Sequence, residues 1–233
     1  MSFSVLAILC ARNEADILPW TLRRLLEQGA SVYMIDNWST DDTIQVALDA
    51  GVKMVEVFPL ERPSTFNWGD ILRRKEEIAE QSSADWILHC DADEIRYSPR
   101  AGEALLDAIR RVDAAGYNAI DHTVLNFLPS RETYEGQNPE EYFNAVGEPA
   151  AGDGRQIKAW KNVGRVDLAS SGGHDVRFPG RTVCPIRFVM KHYPFRSFQQ
   201  RREKVRDRFA RWHPGERAMG WHVQYDRLVN KVV

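Results

Sequence analysis

From residue 3 to residue 116 short apolar runs alternate with amphipathic segments across connections of a few residues, and this limits the fold more than any other feature. "FSVLAILC" (3–10), "SVYMID" (31–36), "VKMVEVF" (52–58) and "DWILHC" (85–90) read as strands. Between them, residues 14–29 carry apolar side chains at 17, 18, 22, 25 and 26, the spacing of one helix face, and stop at Gly29. "STDDTIQVALDAG" offers Ser39 or Asp41 as N-cap and Gly51 as stop. Residues 68–81 form a charged helix, and 99–116 a helix opened by Pro99. Strands and helices at this spacing build βαβ units, so the expected fold class is α/β with a mostly parallel central sheet flanked by helices.

After Gly116 the pattern changes. "YNAIDHTVLNF" (117–127) is strand-like, while 128–154 is rich in Pro, Gly, Glu and Asn and reads as a long loop suited to a lid or acceptor rim. Short β-like pieces follow at 156–161, 163–169, 174–178 and 186–192, giving a smaller mixed β region. Residues 197–212 return to helix, with Phe198, Val205, Phe209 and Trp212 on one stripe. A single domain over 1–233 is expected, with a ligand-binding half (1–97), an acceptor half (98–195) and a C-terminal basic helical segment (196–233).

Three cysteines, widely spaced and without a C-x-x-C pair, argue against a disulfide framework or a structural zinc. The apolar run Val5–Ala11 is too short to span a bilayer, so the expectation is a cytoplasmic protein, at most peripheral at the inner membrane face. A net charge of −2 argues against nucleic acid as partner. The charge is uneven: eight basic residues against three acidic between Arg196 and Arg217 give a local +5, leaving −7 elsewhere.

In open parallel sheets, ligands bind at the carboxyl ends of the strands. Polar clusters fall at those ends: "ARNE", "DNWSTDD" and "DADE". Asp91 and Asp93 are two apart, so in an extended segment both leave one face, and paired carboxylates suit Mg²⁺ or Mn²⁺. An acidic turn capping the next helix is the alternative. By the same parity Glu94 points the other way. Arg201, Lys204 and Arg208 share a helix face, able to clamp a diphosphate or an anionic lipid, or else forming a solvated face. In "SSGGHDVRF" glycines allow close backbone approach to His174 and Asp175, each competent as a general base; Asp153 in "AGDG" is the second choice.

"YMIDNWSTDDT", followed some fifty residues later by "DWILHCDADEI", resembles the nucleotide-sugar half of family 2 glycosyltransferases, which have the Rossmann-like GT-A fold. The D-N-x-S-x-D and D-x-D-E variants with "KHYPFRSF" are most similar to one subgroup of it. The resemblance implies a nucleotide-diphosphate sugar donor, Mn²⁺ or Mg²⁺, and a saccharide or lipid-linked acceptor attacked by inverting displacement. It implies that Ala11, Asn13, Glu14 and Asp36 hold base and ribose, and that Arg74 reaches the ribose or phosphates. Asp91 would face ribose or metal, Asp93 would ligate the metal, and His192 would complete its coordination. Two departures stand out: Lys75 where the family usually has Asn, and no E-D pair after residue 94 to supply the base.

Other readings share single features. A D-x-D phosphatase would need a Thr or Val where Ile95 stands, and a nucleotidyltransferase a Gly-rich, Lys-containing loop after the first strand. A non-catalytic sugar- or nucleotide-binding scaffold would keep the fold without turnover.

Overall fold

The computed structural model describes residues 3–61, 64–144, 146, 154–211, 213–218 and 221. Its elements run β1 (Val5–Ala11), α1 (Leu18–Glu27), β2 (Ser31–Asp36), α2 (Thr43–Asp49), β3 (Met54–Val57), α3 (Trp68–Gln81), β4 (Trp86–Asp91), β5 (Glu94–Tyr97), α4 (Leu105–Ala114), β6 (Ala119–Ile120), β7 (His122–Asn126), α5 (Pro139–Tyr142), β8 (Ala159–Lys161), β9 (Phe188–His192), α6 (Phe198–Ala210) and α7 (Pro214–Ala218). The central sheet has the order β3-β2-β1-β4-β8-β6. Its first four strands are parallel, while β8 and β6 join antiparallel. The second sheet, β5-β9-β7, pairs β9 antiparallel to β5 and parallel to β7. This is the α/β architecture expected from the sequence, with its smaller mixed β region and C-terminal basic helix.

The alternation along β1 shows how the sheet is held. Val5, Ala7, Leu9 and Ala11 pack on one face with Leu18, Leu22 and Leu25 of α1 and Ile109 of α4. Leu6 and Ile8 pack on the other with Leu72 and Ile78 of α3. A strand buried on both sides needs apolar residues at every position, which "VLAILCA" supplies. Truncating one such Leu to Ala would cost about 2–5 kcal/mol through lost transfer energy and the cavity left behind.

Element boundaries differ from expectation where caps decide them. The first helix begins at Leu18, with Pro19 in its first turn, because Asn13 takes a left-handed conformation (φ 52°) and residues 12–17 form a loop. Its end is as read: Gly29 (φ 86°) donates to the Leu26 carbonyl. The fourth helix starts at Leu105, not at Pro99. The predicted strand 117–127 is broken at Asp121 and shared between the two sheets. Of the later β-like pieces only 159–161 and 188–192 are strands, whereas 157, 167, 175 and 177 make isolated bridges. The predicted apolar stripe of α6 is corrected. Val205 alone is buried, Phe198 and Phe209 are exposed, and Trp212 lies outside the described residues. Besides Val205, the side chains that α6 turns toward its neighbours are polar, Lys204, Asp207 and Arg208 among them.

Candidate active site

In the strand order 3-2-1-4, β1 and β4 are parallel neighbours; β1 leads through α1 to β2, whereas β4 turns into β5 of the second sheet, and a crevice opens at their carboxyl ends. There lies a cleft of about 640 Å³, with Ala11, Arg12 and Glu14 on one side and Asp91 and Asp93 on the other. Helix α6 closes it through Lys204, Asp207 and Arg208.

The loops after β1 and β2 are mostly turned toward each other. Asn13 Oδ1 accepts from the Thr40 amide (2.7 Å), and Asp36 Oδ2 accepts from the Ser39 amide (2.9 Å). Arg12 donates to the carbonyls of Asn37 (2.7 Å) and Trp38 and pairs with Asp207 (3.2 Å), pinning both loops to α6. Asn13 and Asp36 therefore shape the rim and do not line the cleft.

The acidic turn is not an extended segment. Strand β4 ends at Asp91, Ala92 and Asp93 turn, and Glu94 starts β5 in the other sheet. Each carboxylate there meets a lysine. Lys158 (3% exposed) donates to Glu94 and lies 3.4 Å from Asp91 Oδ2. Lys75 Nζ is 3.8 Å from Asp91 Oδ1. Lys204 Nζ bridges Asp93 Oδ2 and Glu14 Oε1, each at 3.0 Å, and Arg196 pairs with Glu14 and Asp16 at 2.7 Å. Glu94 also receives Arg96 at 2.9 Å. The cost of gathering negative charge at a strand end is thus offset by the chain's own cations.

Proton affinities follow. Burial raises the Asp91 carboxyl, but Lys158, with Lys75, outweighs it and holds Asp91 well below the usual range. Burial raises the Asp93 carboxyl too, but Lys204 outweighs it and lowers Asp93. Glu14 goes up, since burial outweighs Arg196 and Lys204. Burial pushes Lys75 down, and burial with Lys75 beside it pushes His89 well down.

His192 sits in the central strand of the second sheet, paired in register with Glu94 and Asn126. Its Nδ1 lies 2.7 Å from Asn126 Oδ1, so Nδ1–H donates and the Nε2 lone pair faces Asp93 Oδ1 at 3.7 Å. Two ligands of one divalent cation with bonds of roughly 2.1 Å sit about 3–4 Å apart, so this pair fits such an ion. Among the described residues no three His, Cys, Asp or Glu side chains form a metal cage by themselves. Mg²⁺ and Mn²⁺ do not require one, because they keep waters and take phosphate oxygens.

The other end of the cleft is aromatic and basic. Phe66 stacks with Trp68 (6.1 Å), Arg208 lies 3.7 Å over the Phe66 ring, and Trp221 lies against Gly172. His174 lines the mouth, its Nδ1 3.3 Å from Gln156 Oε1, and burial between the walls with Lys158 nearby lowers its pKa.

Of the residues singled out from the sequence, the fold brings Ala11, Glu14, Asp91, Asp93, His174, His192 and Lys204 into one cleft. Others lie off it. Arg74 pairs with Glu56 (2.8 Å) and Glu77 on the outer face of α3, and its neighbour Lys75 points inward instead. Asp175 pairs with Arg181 (2.5 Å), and Arg201 lies over the Phe195 ring. Asp153 lies outside the described residues. Sequence reasoning missed Lys75, His89, Lys158 and Arg196. For Lys75 a signal existed: positions 71, 72, 75, 78 and 79 form the buried stripe of α3, and a lysine occupies its middle.

No family model matches this chain, and no curated protein matches its sequence. Among solved structures it is similar to S. aureus TarS 1-349 in complex with UDP: 14% identity, TM-score 0.47, covering 88% of this chain and 64% of that one. It is also similar to glucosyl-3-phosphoglycerate synthase from Mycobacterium tuberculosis in complex with Mn²⁺, UDP and glucosyl-3-phosphoglycerate. There the identity is 19% and the TM-score 0.38, covering 53% of this chain and 44% of that one. The chain spans less than two thirds of the length of either structure.

Proposed function

We propose that the protein is a glycosyltransferase that moves a sugar from a nucleotide-diphosphate donor to an acceptor hydroxyl, with Mn²⁺ or Mg²⁺ at the cleft floor. One observation carries the reading: Asp93 Oδ1 and His192 Nε2, 3.7 Å apart, sit where the parallel sheet opens its ligand crevice. Asp93 and His192 would hold the cation, with Asp91 beside them. When bound, it neutralises charge on the departing diphosphate.

The chain's own groups do the rest. Lys158 and Lys204 place positive charge next to the leaving phosphates, and such preorganised charge is worth most where water is excluded. Arg208, over Phe66, lines the cleft and would lie beside the nucleotide. His174 acts as general base: with Nδ1–H given to Gln156, Nε2 is free to take the hydroxyl proton as the acceptor oxygen attacks the anomeric carbon from the face opposite the leaving group. Its lowered pKa keeps it unprotonated at neutral pH. The acceptor is a saccharide or a lipid-linked sugar. No described helix is long and apolar enough to cross a membrane. The cytoplasm, with at most peripheral contact at the inner membrane face, is the location this reading favours.

Thermal shift against nucleoside diphosphates, with and without Mn²⁺, tests the reading. Wild type should gain melting temperature with one nucleotide in a Mn²⁺-dependent way, and D93N should not. If no nucleotide shifts the wild type with metal present, the reading fails. The complete ion pairing of the cleft carboxylates favours a second reading, a non-catalytic binding scaffold. A scaffold would bind its ligand equally well as D93N and transfer sugar from no donor.

A further inference from the structure

Lys75 and His89 lie beneath the cleft and have no part in the chemistry above. Lys75 is fully buried; its Nζ donates to the Cys90 carbonyl at 2.7 Å and lies 3.0 Å from His89 Nδ1. An ammonium has donors and no acceptor, so Nδ1 accepts and the ring proton belongs on Nε2. His89 is 1% exposed and lines the cleft, yet its Nε2 is buried without a hydrogen-bond partner. Folded proteins seldom leave a buried donor unmet.

The ring borders the cleft beneath a glycine turn. A Cβ at Gly173 (φ 91°) would lie 3.0 Å from His89 Nε2, so only glycine lets the backbone come this close to the ring. Trp68, whose ring centre is 6.1 Å from that of His89, donates from Nε1 to the Gly172 carbonyl at 2.9 Å and holds this turn in place.

We infer that Lys75 fixes the tautomer of His89 so that Nε2–H is presented to an acceptor oxygen of the ligand filling the cleft. His89 is a binding residue and Lys75 a positioning residue acting through it. The ammonium behind the ring polarises the N–H, which suits an oxygen carrying negative charge, as on a phosphate chain, and also serves a base carbonyl. The inference rests on the nucleotide-sugar reading for the identity of the ligand.

Long-range ¹H–¹⁵N NMR of histidine-labelled wild type should show Nδ1 unprotonated and Nε2 protonated; the opposite tautomer overturns the inference. Calorimetry with UDP, uridine and pyrophosphate, each with Mn²⁺, then follows. H89M should bind UDP about 10- to 100-fold more weakly, the loss expected for a hydrogen bond to a charged or strong acceptor. H89Q keeps an N–H near the Nε2 position and should stay within about threefold of wild type. K75M should mix the two tautomers and lose part of the affinity. A loss shared by UDP and pyrophosphate assigns the contact to the phosphates, and one shared by UDP and uridine assigns it to the base; both support the inference. If H89M binds all probes as tightly as wild type, the inference falls and the nucleotide reading stands. If no probe binds wild type, both fall. Should H89M not fold, the wild type decides: an Nε2 resonance unmoved by saturating UDP overturns the inference.

Discussion

Replacing Lys158 with Met tests whether the chain's own cations hold the acidic turn together. Lys158 and Glu94 are each 3% exposed, and removal of the ammonium leaves one Glu94 oxygen buried without its partner. Breaking a buried ion pair by deleting one member costs about 3–5 kcal/mol, because the remaining charge is desolvated and uncompensated. Two features bring K158M toward the lower end: Arg96 still holds the other Glu94 oxygen at 2.9 Å, and Asp91 is 28% exposed and keeps Lys75 at 3.8 Å. The expected loss is about 3 kcal/mol, and at roughly 2–4 °C per kcal/mol for a chain of this size the melting point should fall by about 6–12 °C. Urea denaturation of wild type, K158M, E94Q and the double variant measures it. The double variant should lose less than the sum of the single losses, by at least about 1 kcal/mol, since the two side chains share one interaction. A loss below about 1 kcal/mol in K158M with an unchanged m value, or additive losses, would refute the reasoning.

Other expectations follow from the same geometry. Burial, with Arg96 near, pushes His122 down to about 3 from its ordinary value near 6.5. The unfolded chain therefore takes up this proton first, so the contribution of His122 is intact above pH 6.5 and is lost as pH falls toward 3, at about 1.4 kcal/mol per pH unit. Chemical denaturation from pH 7 to 4 should show that slope flattened in H122N, which keeps a donor for the Gln156 carbonyl; an equal slope in both proteins would contradict it. G173A forces a Cβ to 3.0 Å from His89 Nε2 and 3.1 Å from Leu72 in a left-handed conformation and should cost roughly 2–4 kcal/mol. G180A, at φ 72° with open space around it, should cost about 1–2 kcal/mol, so equal losses would argue against crowding at Gly173. E216A removes the carboxylate that accepts from the Gly69 amide at 2.6 Å in the first turn of α3, and hydrogen exchange over residues 214–218 should quicken.

The parallel half was legible because its signals are local. Strands such as "VLAILCA" are apolar at every position, and Gly29 stops α1 where its spacing ends. The three polar clusters lie at the carboxyl ends of parallel strands, a position that depends only on strand direction. Local parity failed at Asp93, because the turn there passes the chain from one sheet to another, which depends on the distant strand β9. The α6 stripe failed for a related reason. Its spacing predicts Phe198 and Phe209 inside, yet the surface it packs on is charged: Glu14 and Asp93 meet Lys204, and Arg12 meets Asp207. Lys158, in "QIKAW", resembles any strand lysine until the fold sets Glu94 opposite it.

The span of the ion pairs also bears on how the protein is made. Glu14 meets Lys204 across 190 residues, Asp16 meets Arg196 across 180, and Arg12 meets Asp207 across 195. During synthesis the first four strands can pair and bury their apolar faces while Arg12, Glu14 and Asp16 still wait for partners made 180 or more residues later. The cleft therefore consolidates after the parallel sheet beneath it, and its closing contacts are the slowest kind for a chain to find. A ribosome stalled before Arg196 would display a formed sheet edged with unneutralised acid, a species that a chaperone or protease could distinguish from the finished protein by charge alone.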